Sequence, residues 1–576
     1  MTAAIARAEP IDYPAETRGL NFFDLGVNLR RLLWRRAPGL LERHEARLGD
    51  FGAWVGGPLD AQAAYSDRIA PPHLESHDRQ GNRSGRVICN PAYLECHREA
   101  YRRGVIGLCY GAEAAPHLLS FVMGYLLSSA DISIHCPVTM TGALAYVLDR
   151  FAPEPLRAAY LPELVRRDGA AKSGGTWATE AHGGSDLGAT TTVARPDGAA
   201  WRLTGLKWFA SNADSGLALV TARPQGAPEG GAGLGCYLLP DRLPDGAPNR
   251  YWVRRLKDKL GTRGLPTGEI DLEDAWALEI AGPGEGLKVM MAALGYSRIH
   301  NAVAACGVQR RALLEALCWA SHREAFGAPI RGYPMVRDAL LDLATETEAS
   351  TALAFEAGIA FDAALAPGGA PGDANETARA WLRTATALAK YRTAEHGVRA
   401  AIRAIEIVGG NGYTEEWPTA RLFRDAMVLP VWEGPVNIQA LELLRAATGK
   451  LPGDAAFVAR VAGVLEAAPA ALDGAVVPLR AALEDCRAAL AYLRGRPEEG
   501  PRQARRLLDL MADTLAGALL VEEAAFDLKA GDGRKACIAR RFIRMTFGPR
   551  AAIGPEPDPD HAEVERLLGY AVIDFT

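Results

Sequence analysis

The sequence predicts a mainly α protein with a central β domain, and three observations carry that reading. Apolar residues recur at three- and four-residue spacing from about residue 20 to 170, the mark of amphipathic helices. Residues 171–285 break into short segments rich in branched and aromatic residues, with turn clusters between them. Helical spacing returns after Gly284-Glu285-Gly286 and runs nearly to the end. The strands are not interleaved with helices, so a doubly wound α/β fold is disfavoured. No G-x-G-x-x-G joins a strand to a helix, which disfavours a Rossmann cofactor site.

At 576 residues the chain holds about four domain-sized units. Its 49% hydrophobic and 23% charged residues exclude a mostly disordered or fibrous chain. A net charge of −5 gives no global attraction to nucleic acid or anionic membrane.

Taken in order, 1–170 reads as an N-terminal helical domain, with the Gly/Pro-rich stretch 52–72 as a loop inside it. Residues 171–285 form the middle β domain, and the loop at 224–235 is its clearest hairpin tip. In 286–450, Ile299, Val303, Cys306, Leu313 and Leu317 keep helical spacing, as do Val336, Leu340 and Leu343. The linker 366–375 breaks the pattern. A third helix then runs from about 376 to 408 and stops at Gly409-Gly410, and a fourth follows Pro435. Four helices with short connections suggest a bundle. Residues 451–576 form an additional Ala/Leu/Arg-rich helical domain.

The first residues carry acidic groups and prolines but no apolar core, so no secretory signal is expected. No run of 18 or more apolar residues occurs, so no bilayer span and no membrane partner are expected. Nine cysteines with no C-x-x-C pair argue against a disulfide framework and a zinc ribbon. No metal is expected, and cytoplasm is the expected compartment.

Three segments could carry chemistry. In Thr179–Asp186 two adjacent glycines flanked by hydroxyls let backbone N–H groups approach a phosphate or a flavin edge, although Gly-Gly-Ser-Asp is also a common turn. In Lys207–Asn212 an aromatic pair and a serine end a strand, either to wall a planar cofactor or simply to bury one face. In the third, Glu433 sits between Trp432 and a Gly-Pro turn just before a helix. Apolar flanking would raise its pKa and make it a better base. Equally, a carboxylate there favours the helix N-terminus, and Pro435 at a first turn fits that reading.

Together, TEAHGGSD (179–186), GLKWFAS (205–211), HREAFGAPI (322–330), EIVGGNGY (406–413) and RLFRDAMVLPVWEGPVNIQ (421–439) resemble, in this order, the acyl-CoA dehydrogenase family. The likeness runs from about residue 20 to the end, strongest over 174–447, and is nearest to the AidB type. It implies a helical N-terminal domain, a β-barrel-like middle domain and a four-helix bundle, with FAD at their junction. It further implies flavin contacts at Thr179 and Ser185 with Gly184, and a lined ring at Phe209 and Ser211. Arg323 and Phe326 match positions that hold the FAD of a neighbouring subunit, Gly409 and Gly410 the family's diglycine. Trp432 and Asn437 belong to the same cofactor set. Glu433 falls on the catalytic base, and Arg298, with Ser185, on the substrate side near the acyl-CoA entrance; an ordinary solvated helix arginine is the other reading of Arg298.

The chemistry expected is α,β-dehydrogenation of an acyl thioester. The α-proton is weakly acidic, so its removal needs a desolvated carboxylate held against it. The enolate oxygen needs donors, assigned by the resemblance to the flavin ribityl chain and the backbone N–H of the base, and the β-hydrogen leaves as hydride to the flavin. An electron-transfer flavoprotein or similar acceptor and a homotetramer are implied. Two departures stand out. Pro435 replaces the usual hydroxyl residue after E-G and lacks an N–H, and Glu406 replaces the usual glutamine before the diglycine, a change the AidB type shares.

The AidB likeness also raises DNA as a partner through the C-terminal helical domain. Residues 451–576 hold 16 Lys and Arg against 19 Asp and Glu, a net −3, which disfavours it. One segment, 534–550, has six basic and no acidic residues. Ile538, Phe542 and Met545 are its expected buried stripe, with Arg540, Arg541 and Arg544 outside. The acidic stretch 556–565 could cover it. An acyl-CoA oxidase is the third reading, since oxygen reactivity depends on access near the flavin.

Overall fold

A computed structural model describes residues 9–366, 373–450, 452–548 and 561–575. Helices α1 (Val27–Arg36) and α2 (Pro38–Trp54) lead through a π turn (Val55–Leu59) into α3 (Asp60–Arg68). The hairpin β1 (His73–His77) and β2 (Arg83–Ile88) precedes α4 (Pro91–Arg102), α5 (His117–Ala130), α6 (Ile132–Phe151) and α7 (Glu154–Val165). The β domain follows: β3 (Gly174–Trp177), β4 (Val193–Asp197), β5 (Ala200–Ser211), β6 (Leu217–Pro224), β7 (Gly235–Pro240), β8 (Tyr251–Leu256) and β9 (Thr267–Ala281). Helix α8 (Gly286–His322) runs into the short hairpin β10 (Glu324–Ala325) and β11 (Ala328–Pro329). Then come α9 (Pro334–Leu365), α10 (Asp373–Val408), α11 (Pro418–Ala426) and α12 (Val436–Thr448). The last part holds α13 (Gly453–Ala467), α14 (Asp473–Gly495), α15 (Gly500–Leu528), α16 (Arg534–Phe547) and α17 (His561–Leu568). This is the mainly α architecture with a central β domain that the periodicity implied.

By contacts the chain divides into two compact units, Pro58–His300 and a two-segment unit of Met1–Gly57 with Asn301–Thr576. In the first, the strand order β3-β6-β4-β5-β9-β7 closes on itself through an added β6–β7 pairing, with β8 on β9, which makes the sheet barrel-like. Its interior is packed by Trp177, Leu203, Val220, Tyr237, Ile270 and Leu272. The tip between β6 and β7 lies at 225–234, as the turn cluster implied.

In the second unit, α10 packs on α9 and α12, and α15 packs on α9, α12 and α16. Helices α15 and α16 therefore pack against the helices of the bundle. The first 57 residues join the same unit through buried ion pairs. Arg35 binds Asp527 and Glu523 (3.0 Å to the latter), and Arg31 binds Asp532 at 3.0 Å.

Two local expectations fail. The stretch 52–72 is helical to Arg68, not a loop. A Cβ on Gly56 would fall 1.8 Å from the Leu20 carbonyl oxygen, so this glycine permits close helix–strap packing. Pro58 sits within the π turn, where the regular i→i−4 bond that proline cannot make is interrupted. The β1–β2 hairpin was also missed, because its exposed polar residues lack apolar alternation.

The basic helix α16 is packed differently from its expected stripe. Ile538 and Phe542 are buried, but Met545 is 41% exposed. Arg534 and Lys535 are fully buried: Arg534 donates to Glu348 at 2.6 Å, and Lys535 binds Glu348 and lies 2.9 Å from Glu523. Arg541 bridges to Asp342 at 2.6 Å and Asp338 at 3.2 Å. The helix thus directs at least three of its five cations to carboxylates of its own chain. Arg550 and residues 556–560 of the acidic stretch lie outside the described residues, as do 367–372 of the expected linker. Among the described residues the cysteines form no disulfide, and eight of them are buried; no described His/Cys/Asp/Glu group could hold a metal ion. No single described helix is long and apolar enough to cross a membrane.

Candidate functional site

The first set of site residues belongs to the β domain. The loop Thr179–Asp186 leaves β3 and exposes Gly184 and Ser185 at its tip. Its root is fixed by an ion pair that the sequence reading did not single out. Lys207, on β5 and fully buried, donates to the carboxylate of Glu180 at 2.8 Å and to the Thr221 carbonyl at 2.8 Å. Glu180 also accepts the backbone N–H and hydroxyl of both Thr191 and Thr192, at 2.6–3.1 Å. Burial alone would raise its pKa, but the Lys207 ammonium and these donors hold it down to about 2. Glu180 and Lys207 each lie inside a distinctive motif, so the signal is present in the sequence; only their pairing is hidden.

The Trp208 N–H donates to the Thr179 carbonyl at 2.9 Å, which lays the loop beside the end of β5. A Cβ on Gly184 would stand 2.5 Å from the Thr179 hydroxyl, so this approach needs glycine. Ser211 ends β5; its hydroxyl lies 3.1 Å from that of Thr267, and its carbonyl accepts from the Trp177 indole at 3.1 Å. Phe209 is 56% exposed, while Lys257 lies 3.5 Å from the Trp208 ring centroid. A hydroxyl-bearing glycine loop beside an uncovered aromatic edge suits a planar cofactor with a polar tail. Arg298, on α8 in the same unit, is 7% exposed, so it is not a solvated helix arginine.

The second set lies in the other unit. Glu433 and Gly434 both adopt left-handed backbone, with φ of 57° and 96°. This conformation is costly for a glutamate, about 1 kcal/mol or more. Two buried side chains impose it. The Gln439 amide donates to the carbonyls of Glu433 (3.0 Å) and Gly434 (3.1 Å), and Lys390 donates to that of Gly434 at 2.8 Å. Pro435 is the cap of α12, its carbonyl accepting from Ile438 and Gln439. The first turn of α12 holds no acidic residue, and Glu433 precedes the cap. One oxygen of the Glu433 carboxylate, Oε2, is buried. Trp432 is partly buried and Asn437 exposed, flanking it on either side. Lys390 carried no sequence signal; its role depends on a contact across 44 positions.

Two more loci belong to this unit. Arg323 and Phe326 lie on the short hairpin after α8, where Phe326 is 99% exposed with φ 54°. Gly409 and Gly410 end α10, exposed, with Gly409 at φ 76°. Here Gly409 makes the left-handed stop that the sequence indicated.

Comparison with known proteins covers most of the chain. The model of the adaptive response protein AidB N-terminal domain matches residues 13–168, that of the acyl-CoA dehydrogenase middle domain 175–275, and that of the acyl-CoA dehydrogenase C-terminal domain 284–448. AidB of Escherichia coli (strain K12) is 33% identical over 419 residues, 69% of this chain and 73% of AidB. Acyl-CoA dehydrogenase family member 11 of Caenorhabditis elegans is 32% identical over 439 residues, 74% and 70% of the two chains. The crystal structure of Caenorhabditis elegans ACDH-11 in complex with C11-CoA superposes with a TM-score of 0.86 at 28% identity, covering 95% of this chain and 93% of that one. An acyl-CoA dehydrogenase of Bacillus anthracis complexed with FAD shares the fold, with a TM-score of 0.66 at 19% identity over 79% and 81% of the chains.

Proposed function

Because the chain belongs to the acyl-CoA dehydrogenase family, in its AidB branch, and is thereby an FAD-dependent oxidoreductase, we propose that it removes an α-proton and a β-hydride from an acyl-CoA to give a trans-2-enoyl thioester. The observation that carries this reading is Glu433 on its left-handed turn, pinned by Lys390 and Gln439. A carboxylate on a rigid turn needs little reorganisation to meet an α-carbon, which is what general-base catalysis requires. When bound, FAD supplies the hydride acceptor.

In this reading Thr179, Gly184 and Ser185 bind the cofactor through hydroxyl and backbone donors, and Phe209 and Ser211 border its ring. Glu433 takes the α-proton, and its backbone N–H is the donor this chain brings to the enolate oxygen. Arg298 lies on the acyl-CoA side. The complex of ACDH-11 with C11-CoA supports an acyl-CoA substrate. Electrons pass to an electron-transfer flavoprotein or a similar acceptor, and the protein works as a homotetramer in which Arg323 and Phe326 serve a neighbouring subunit.

The DNA-associated reading has less support, since Arg534, Lys535 and Arg541 are engaged by carboxylates of the same chain. Turnover of an acyl-CoA panel with a dye acceptor, with products identified by mass, tests the proposal. Loss of two hydrogens from the acyl group supports it; peroxide release in air at the same rate moves the assignment to an oxidase.

A further inference from the structure

The hairpin that carries Arg323 and Phe326 is too small to orient itself. Its strands are two residues each, Glu324 pairing with Pro329 and Ala325 with Ala328, and short two-stranded hairpins are marginal in water. The Ile330 N–H donates to the Arg323 carbonyl at 2.8 Å, closing its base. Tyr333 adds one hydroxyl bond to the Ala325 carbonyl, at 2.7 Å. Phe326 at the tip is almost fully solvent-exposed. Its direction must be imposed from the residues flanking it.

Both flanking residues are gripped, by Tyr13 and by helix α17. On the incoming side, His322 meets the Tyr13 carbonyl at 2.7 Å. On the outgoing side, Arg331, 9% exposed, pairs with Glu565 of α17 at 2.7 Å, donates to the Ser321 hydroxyl at 3.0 Å, and lies 5.8 Å from the Tyr13 ring centroid. These two segments are themselves joined. The Ile11 N–H donates to the Gly569 carbonyl and the Tyr13 hydroxyl to the Leu568 carbonyl, each at 2.9 Å. One turn along α9, Arg337 meets His561 at 3.0 Å.

We propose that residues 11–13 and helix α17 form a brace for this hairpin, and that Arg331 and Glu565 are positioning residues that keep Arg323 and Phe326 set to hold FAD. The proposal rests on the reading above that this hairpin serves the cofactor. It gives helix α17 a task in cofactor retention. A buried guanidinium needs its carboxylate, so losing either partner frees the hairpin root on that side.

The test measures FAD affinity of the deflavinated full chain and amide hydrogen exchange of 323–330, with flavin-free and flavin-loaded protein. Variants are Glu565→Gln, Arg331→Met, Arg331→Lys, the exchanged pair R331E/E565R, and Phe326→Ala as benchmark. Glu565→Gln and Arg331→Met should weaken FAD about tenfold, the equivalent of about 1.4 kcal/mol, and speed exchange of the hairpin amides. Arg331→Lys and the exchanged pair should recover most of both. Tyr13→Phe, which removes one hydroxyl, should show the same change more weakly if the larger substitutions fail to fold. If Phe326→Ala weakens FAD while Arg331→Met and Glu565→Gln match wild type in affinity and exchange, the brace is wrong although the hairpin's role stands. If Phe326→Ala leaves FAD affinity unchanged, the cofactor role of the hairpin falls, and the proposal with it.

Discussion

Lys207 and Glu180, 27 positions apart, meet at 2.8 Å inside the β domain, where they are 0% and 2% exposed. The pair ties the glycine loop of one motif to the strand that ends in Phe209 and Ser211. Lys207→Met would leave a buried carboxylate without its cation, a loss of about 3–5 kcal/mol. Denaturant unfolding should show that loss, and FAD titration should show weakened binding in whatever protein folds. Unchanged stability would mean that the threonine donors alone suffice.

Acid should expose the same pair. The carboxyls of Glu180 and Glu356 are both brought down to about 2. Burial opposes this in each; Lys207 with its hydrogen-bonding neighbours outweighs it at Glu180, and Arg36 and Arg460 do so at Glu356. A folded pKa below the unfolded value, about 4.3 for glutamate, stabilises fully above about pH 5 and is lost as pH falls toward 2. Unfolding midpoints should therefore drop steadily below about pH 5, and Glu356→Gln should flatten that slope while lowering stability at neutral pH.

Gly434→Ala probes the turn beneath Glu433, the proposed base. Gly434 has φ 96°, and an added Cβ would lie 2.9 Å from Ile438. Strain of about 1–3 kcal/mol should shift the turn, and kcat should fall with FAD content unchanged. A wild-type kcat would show that the turn's geometry does not set the rate.

Periodicity made the helix–β–helix order readable, because each element repeats its pattern locally. The site was readable only as segments. Thr179, Ser185, Phe209, Ser211 and Glu433 sit in distinctive motifs, but the groups that hold them act from elsewhere in the chain. Lys390 reaches Gly434 across 44 positions, and Tyr13 meets Leu568 across 555. Nothing in local spacing encodes such contacts. The same limit hid the start of α16: Arg540 and Arg544 are exposed as the stripe implied, but Arg534 and Lys535, which it left unassigned, close a buried network with Glu348 and Glu523.

That network yields a prediction of its own. Lys535→Met should cost about 3–5 kcal/mol by leaving Glu348 and Glu523 short of a cation. Calorimetry should record it, and retention of duplex DNA at low salt should not change. A selective loss of DNA retention without loss of stability would restore the nucleic-acid reading of this helix.

Substrate should reduce the flavin with Glu433 as the base. Anaerobic titration of the purified protein with acyl-CoAs, followed by the visible flavin spectrum, tests it most directly. Wild type should be yellow and bleach with at least one acyl-CoA, and Glu433→Gln should keep the colour but not bleach. A colourless protein that takes up no FAD, or a Glu433→Gln variant that bleaches as wild type does, would contradict it.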